Sequence, residues 1–231
     1  MANAQMTYNM LLEYDMQTNF GITTNYKSQL YCNPTAALFI YQDERKEDIN
    51  NSNMESFSIE HFKADSTQYF IRTNSELLSL ARSEDKEGAY ILLSENVPQI
   101  EWHLESEFKN IDGYECAKAT CTFRGRDYTA WYAPEIPLHY GPYKFHGLPG
   151  AIFELSDSKQ EVRFLLKRVR IEEGLTLPME LKEDYPIVPR EQYKKSAKEK
   201  YERVKRALSS RADRNMTISV TSFKVHAIEM D

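Results

Sequence analysis

Histidines are the residues of this chain with the clearest capacity for chemistry, because a neutral imidazole is both a metal ligand and a general base. His139 and His146 lie in one glycine-rich stretch, and His103 follows Trp102. Together the three histidines could bind a metal ion. None of them has an HxH or HExxH spacing, and histidines on strands and loops are more often free side chains. The sequence therefore predicts no metal and no cofactor, and a metal-dependent enzyme using these histidines is the alternative.

Three cysteines are the other candidate reactive groups. Cys116 lies within a predicted strand, where no helix N-terminus lowers the pKa of its thiol. Cys121 follows five residues later and would lie about 16 Å away on the opposite face of that strand, so a disulfide between them would need a bulge or a break. Cys32 could pair with either one, although three buried, reduced cysteines are the simpler interpretation. No GxSxG elbow and no GK[ST] phosphate loop are present, and no catalytic residue is assigned.

Glycine and proline are concentrated in residues 135–155, EIPLHYGPYKFHGLPGAIFEL, which contain three of the eight glycines and three of the nine prolines. A fixed backbone shape is predicted where glycine and proline alternate most closely, at Gly147, Leu148, Pro149 and Gly150. Residues 148–151 are predicted to form a type II turn with Gly150 at positive φ, since Pro149 suits the second turn position and glycine the third. A strand should follow, with Ile152 facing the core.

Aromatic side chains are dense in and around this stretch. They either line an apolar cavity that binds a ligand or fill an ordinary sheet core. The candidate ligand-binding residues are Trp102, Trp131, Tyr132, Tyr140, Tyr143 and Phe145.

Short alternating segments make up most of the chain and predict strands. The predicted strands are residues 8–15, 25–32, 36–41, 57–62, 68–72, 89–94, 99–104, 114–123, 127–132, 151–155, 161–171 and 216–228. Residues 75–82 could form a short helix or a strand, and residues 42–56 form a polar loop. Asp112-Gly113 predicts a hairpin turn inside an antiparallel meander over residues 108–132.

The C-terminal part differs, because residues 190–211 contain no glycine or proline and predict a helix. An apolar stripe at spacings of three and four should dock it on the sheet. The stripe consists of Tyr193, Ala197, Tyr201, Val204 and Leu208. Residues 190–214 carry ten Lys/Arg against four Asp/Glu, and this basic face is either solvated or turned towards anionic lipid or another envelope component.

Composition limits the possible classes of protein. The 231 residues are 41% hydrophobic, 28% charged and 12% aromatic, which indicates one β-rich globular domain over residues 1–231. The net charge of −6 argues against nucleic acid as a partner. No apolar run approaches the roughly 20 residues of a membrane span. Residues 1–5 contain Ala2-Asn3-Ala4, which is either a chance pattern or the remnant of a signal-peptidase site.

Four segments together resemble the GLPGLI family, a group of envelope-associated bacterial proteins named for that motif. They are KNIDGYECAKA (109–119), FRGR (123–126), AWYAPEIP (130–137) and GPYKFHGLPGAI (141–152). Ala151 departs from the motif, in which leucine is usual. The resemblance implies secretion across the inner membrane to the periplasm or outer envelope, and favours the signal-site interpretation of residues 1–5. It implies no catalytic residues, because the family is functionally uncharacterised.

Combined, these observations predict an α+β fold with one strongly curved, mainly antiparallel sheet and a helix packed on it. A half-open barrel is the preferred form and a sandwich the alternative. The predicted function is that of a non-enzymatic envelope protein that binds an apolar or peptidic ligand, or an envelope protein partner, on its sheet.

Overall fold

A computed structural model describes residues 7–43, 67–73, 75–83, 89–175, 185–211 and 228–229. These residues form twelve strands and one helix. The strands are β1 (Tyr8–Asn19), β2 (Thr23–Cys32), β3 (Ala36–Asp43), β4 (Thr67–Thr73), β5 (Glu76–Arg82), β6 (Tyr90–Asn96), β7 (His103–Ile111), β8 (Tyr114–Phe123), β9 (Arg126–Ala133), β10 (Ala151–Asp157), β11 (Val162–Leu175) and β12 (Ile187–Pro189), and the helix is α1 (Arg190–Arg211).

All twelve strands belong to one sheet, in the order β12-β6-β5-β4-β3-β2-β1-β11-β10-β9-β8-β7. Neighbouring strands are antiparallel except β12 and β6, which are parallel. The first strand is central because it pairs with both β2 and β11. Two consecutive meanders, β1–β6 and β7–β11, are thereby joined into one open sheet. The predicted mainly antiparallel sheet with one helix is confirmed.

Local sequence determines the hairpin turns. Asp112 and Gly113 both have positive φ, and so do Arg124 and Gly125. Two such residues in succession are the geometry of a type I′ turn, which matches the twist of the strands it joins. The pairings β7–β8 and β8–β9 confirm the predicted meander.

Two local predictions change. Residues 75–82, for which the sequence allows a short helix or a strand, contain β5 (Glu76–Arg82), because pairing with β4 and β6 holds this segment extended. The predicted strand 99–104 is wrong in its bounds, since β7 begins only at His103 and leaves Trp102 in the preceding connection. The predicted strand 57–62 lies outside the described residues, as does 216–228 apart from its last residue, Ile228.

Most of the main core lies on one face of the sheet. Residues 134–150, here called the loop segment, cover this face. Phe145 packs 4.7 Å from the Tyr128 ring on β9, and Tyr143 packs 4.7 Å from the Phe70 ring on β4. Strands from both meanders therefore contact the same loop segment. The opposite face of β1–β6 has a smaller apolar cluster that includes Leu11, Leu38 and Leu92.

The helix has the predicted bounds, and its first turns pack on β6. Tyr193 is buried against Ile91 and Leu93, which confirms the docking role predicted for Tyr193. Ala197 is half-buried, while Lys198 is exposed. The side chains of Tyr201, Val204 and Leu208 lie outside the described residues. Within the described residues, no helix combines the length and apolar character that crossing a membrane requires.

Candidate functional site

The six aromatic residues predicted to bind ligand fall into two groups, three that are buried and three that are half-buried. Tyr132, Tyr143 and Phe145 are buried in the main core. Phe145 has three aromatic neighbours, with ring centroids 4.7, 5.2 and 6.2 Å away, which belong to Tyr128, Phe123 and Trp102. These aromatics therefore surround one another and fill the space over the sheet.

The other three are half-buried and have separate surroundings. Trp102 donates a hydrogen bond from Nε1 to the carbonyl oxygen of His146, at 2.8 Å. Trp131 lies under the ammonium group of Lys109, which is 4.4 Å from the ring centroid. Tyr140 lines a cleft at one end of the loop segment. The six residues therefore do not form one cavity, and Tyr140 alone among them reaches this cleft.

The motif residues shape the loop segment, although the predicted type II turn is wrong. Gly150 does not have positive φ, whereas Gly147 has φ +93°. Gly150 is required for space instead, because a Cβ there would lie 2.3 Å from the carbonyl oxygen of Ala133. Leu148 and Ile152 are buried, and Pro149 is exposed. The burial of Ile152 agrees with its predicted place in the core, and Phe153, the next residue on β10, is buried as well.

Five charged side chains, here called the ionic cluster, meet beside the loop segment: Glu95, Arg124, Lys144, Arg190 and Glu229. Lys144 Nζ lies 2.5 Å from Glu95 Oε1 and 2.7 Å from Glu229 Oε1. Arg124 Nη2 lies 2.7 Å from Glu95 Oε2, and Arg190 pairs with Glu229. The cluster therefore ties together β6, the β8–β9 turn, the loop segment, the start of α1 and the C-terminal segment.

Burial makes these ion pairs mutually dependent. The side chains of Lys144 and Glu229 are only 1% and 2% exposed, and the Tyr143 hydroxyl donates to Glu229 Oε1 at 2.5 Å. Burial by itself raises the pKa of Glu229, but Lys144, Arg190 and the hydrogen bonds outweigh it and lower the pKa to about 2. Glu229 is therefore ionised at neutral pH and balances two buried cations.

The cleft lies at the end of the sheet where β1 begins and β2 ends, and its volume is about 470 Å³. Its apolar walls include Met10, Val97 and Leu138. The polar groups in its lining include Arg72 and His146. About half of the lining residues carry polar side chains, Asn9, Asn33 and Thr73 among them. An opening of this size that combines apolar walls with polar groups is typical of a small-ligand site.

Arg72 reaches the cleft from the inner face of β4 and is 3% exposed. Its Nη1 donates to the carbonyl oxygen of Phe145 at 2.9 Å, with longer contacts of 3.4 Å to Lys144 O from Nη1 and to Gly141 O from Nη2. Burial lowers the pKa of Arg72 to about 10, so its guanidinium remains charged at neutral pH. Arg72 thus holds the loop segment by its carbonyls and places a positive charge at the cleft.

Two of the candidate histidines line the cleft. His139 is exposed, and His146 Nε2 donates to the carbonyl oxygen of Pro98 at 2.7 Å. Burial and the nearby Arg72 lower the pKa of His146, which keeps its ring neutral at pH 7. His103 is exposed on β7 and does not line the cleft. Within the described residues, which exclude His61 and His226, no group of three or more His, Cys, Asp or Glu side chains could hold a metal.

All three cysteines are buried and free in the structure. Burial raises the pKa of Cys116 to about 11 and those of Cys32 and Cys121 to about 12. Thiols with such pKa values are protonated at neutral pH and are poor nucleophiles.

A known family matches the chain over part of this region. The family model matches residues 124–154, which run from the β8–β9 turn through the loop segment into β10, and is described as "Protein of unknown function (Porph_ging)". The match supports an uncharacterised family and does not confirm the GLPGLI name. A comparison with curated proteins finds no match.

Solved structures give a likeness of fold. Two crystal forms of PNGF-II, in space groups P21 and C2, align with TM-scores of 0.54 and 0.53. The sequence identity is 15% in both, and each alignment covers 81% of this chain and 32% of the PNGF-II chain. This chain therefore spans about a third of the length of those proteins, and the likeness concerns the fold alone.

Proposed function

We propose that this protein is a secreted, non-enzymatic component of the cell envelope that binds an apolar or peptidic ligand in the cleft beside the loop segment. One observation carries the proposal. The loop segment and its aromatics cover one face of the sheet, yet a 470 Å³ cleft remains open where Tyr140 and His146 meet Met10 and Arg72. Pockets of about 300–1,000 Å³ suit small ligands.

The rigidity of the loop segment supports a binding role. Gly147 donates from its backbone to His139 O at 2.8 Å, and Gly141 donates to Phe145 O at 2.9 Å. Together with the contacts of Trp102 and Arg72, these bonds fix one wall of the cleft in advance. A preformed site binds more tightly because less conformational entropy is lost on association.

Curvature of the sheet into a half-open barrel is part of the proposal. Arg124 follows β8, the eleventh strand in sheet order, and Glu95 lies on β6, the second. Their side chains nevertheless meet at 2.7 Å. This contact supports a sheet that curves, so that the strands near its two ends approach each other over the loop segment. Carriers that hold ligands on a concave face have such a curved sheet.

Secretion is supported by the sequence alone, through the resemblance to envelope-associated proteins. Osmotic-shock fractionation of cells that naturally produce the protein tests it. We expect the protein in the periplasmic or outer-envelope fraction, and recovery with cytoplasmic markers would contradict secretion.

The alternative, a metal-dependent envelope enzyme, is favoured by the position of His139 and His146 in the same cleft. Metal analysis of natively purified protein distinguishes the two. A full equivalent of zinc, copper or iron that disappears in His139→Ala would support the enzyme, and substoichiometric metal supports the binding protein.

Titration with the neutral apolar fluorophore N-phenyl-1-naphthylamine tests the binding site directly. We expect saturable binding with a Kd of micromolar order, and His139→Trp, which places a large ring at the cleft, should weaken it by about tenfold or more. Ile22→Trp is the matched control, because Ile22 is exposed at the opposite end of β1. Absence of saturable binding, or equal binding by both variants, would contradict the proposed site.

A further inference from the structure

Arg72 is unusual among the buried arginines in lacking a carboxylate partner within the described residues. Arg126 pairs with Asp157 and Glu161, and Arg190 pairs with Glu229. Among the described residues, Arg72 donates hydrogen bonds only to backbone carbonyls. Its Nε makes no hydrogen bond to them, which is also true of Nε in the carboxylate-paired Arg190, so the feature that distinguishes Arg72 is the missing carboxylate. A buried charge without a counter-charge is costly, so an anion bound next to Arg72 would be stabilised.

The groups around Arg72 supply no negative charge. Cys32 has its pKa raised to about 12 by burial and is a neutral thiol. The Tyr140 ring lies 5.3 Å from the guanidinium carbon, and burial raises the pKa of its phenol. His146 is neutral at pH 7. The described surroundings thus leave one net positive charge beside the apolar cleft.

Guanidinium groups bind carboxylates strongly, because their N–H donors and the two carboxylate oxygens match in spacing and charge. The Nη atoms of Arg72 hold the loop segment, and its buried Nε has no hydrogen-bond partner among the described residues. The apolar cleft walls suit a hydrocarbon or apolar side chain next to that carboxylate.

We infer that the ligand of the cleft is an apolar molecule ending in a carboxylate, which pairs with the guanidinium group of Arg72. This inference rests on the proposed function. Two sources share the chemistry, namely a fatty acid and a peptide with a free C-terminus and an apolar last residue.

Displacement of N-phenyl-1-naphthylamine by four ligands tests the inference. The ligands are dodecanoate, dodecanamide, the peptide Ala-Val-Leu with a free C-terminus and the same peptide as its C-terminal amide. We expect at least one acid to displace the fluorophore about tenfold more effectively than its matched amide, as a charge-assisted hydrogen bond predicts. Whichever acid does so identifies the source.

Variants keep the result specific to Arg72. Arg72→Lys retains the charge but loses the guanidinium group, and should reduce the ratio of acid to amide affinity, with each affinity measured against that variant's own fluorophore binding. Arg168→Lys on the exposed face of β11 should leave the preference unchanged. Circular dichroism of each variant checks that the fold is retained.

The outcomes separate the two proposals. Fluorophore binding without any acid preference would overturn the carboxylate inference and leave the proposed function standing. Absence of fluorophore binding as well would overturn both. An acid preference that survives unchanged in a folded Arg72→Lys variant would overturn the assignment to Arg72.

Discussion

Replacing Glu229 by glutamine is expected to lower the free energy of unfolding by about 3–5 kcal/mol, the usual cost of removing one partner from a buried ion pair. The amide keeps nearly the same shape but carries no charge. Lys144 and Arg190 would then share Glu95 with Arg124 as their remaining carboxylate in the ionic cluster. Urea denaturation of both proteins at pH 7 measures the difference.

Glu107→Gln is the control, because Glu107 pairs with Lys118 at 2.7 Å on an exposed strand. Its removal should cost less than about 1 kcal/mol. Equal losses in the two variants would contradict the role assigned to the ionic cluster.

The stability difference between wild type and Glu229→Gln should also depend on pH. The folded pKa of Glu229 is about 2, below the ordinary value of 4.5, so its stabilisation is complete above pH 4.5 and is lost as the pH falls towards 2. The difference should therefore be constant near neutral pH and shrink in acid. A difference that grows on acidification would contradict an ionised Glu229.

Replacing Gly150 by alanine is expected to cost about 3 kcal/mol or more, at the upper end for inserting an atom into a packed site. The new Cβ would lie 2.3 Å from Ala133 O and 2.9 Å from Pro134 Cα, both backbone atoms. Ala133 O also accepts a hydrogen bond from Ile136 N at 3.2 Å, so it cannot move without disturbing the start of the loop segment. Thermal and urea unfolding both report the loss.

Gly147→Ala is the matched control, because Gly147 has positive φ but its added Cβ would meet nothing closer than 3.8 Å. Its cost should be about 1–2 kcal/mol, from backbone strain alone. If Gly147→Ala destabilised the protein more than Gly150→Ala, the short distance from residue 150 to the Ala133 backbone would not explain why glycine is required at position 150.

Most of the fold follows from local sequence. Alternation predicts the strands, Asp112-Gly113 predicts a hairpin turn, and the absence of glycine and proline predicts α1. Gly150 shows the limit of this approach. The Pro149-Gly150 pair predicts positive φ at Gly150, whereas glycine is required there because the chain passes close to the backbone of Ala133 at the end of β9. A contact between residues so far apart in sequence cannot be predicted from the local pattern.

The candidate site depends still more on contacts distant in sequence. Arg72 meets Phe145 across 73 residues, and Tyr143 meets Glu229 across 86. Single charged residues on strands usually indicate a solvated face, so nothing marked Arg72 as buried. A lysine between two aromatics, Tyr143-Lys144-Phe145, was the available signal that the loop segment contains an ion pair.

Nuclear magnetic resonance of the histidine side chains tests the central claim, that the cleft is where ligand binds. His139 and His146 line the cleft, while His103 is exposed on β7 outside it. On addition of N-phenyl-1-naphthylamine, the ring ¹H–¹⁵N signals of His139 and His146 should shift in a saturable manner, and those of His103 should not move. Saturable binding that leaves His139 and His146 unshifted, or that shifts His103 equally, would place the ligand elsewhere and contradict the account.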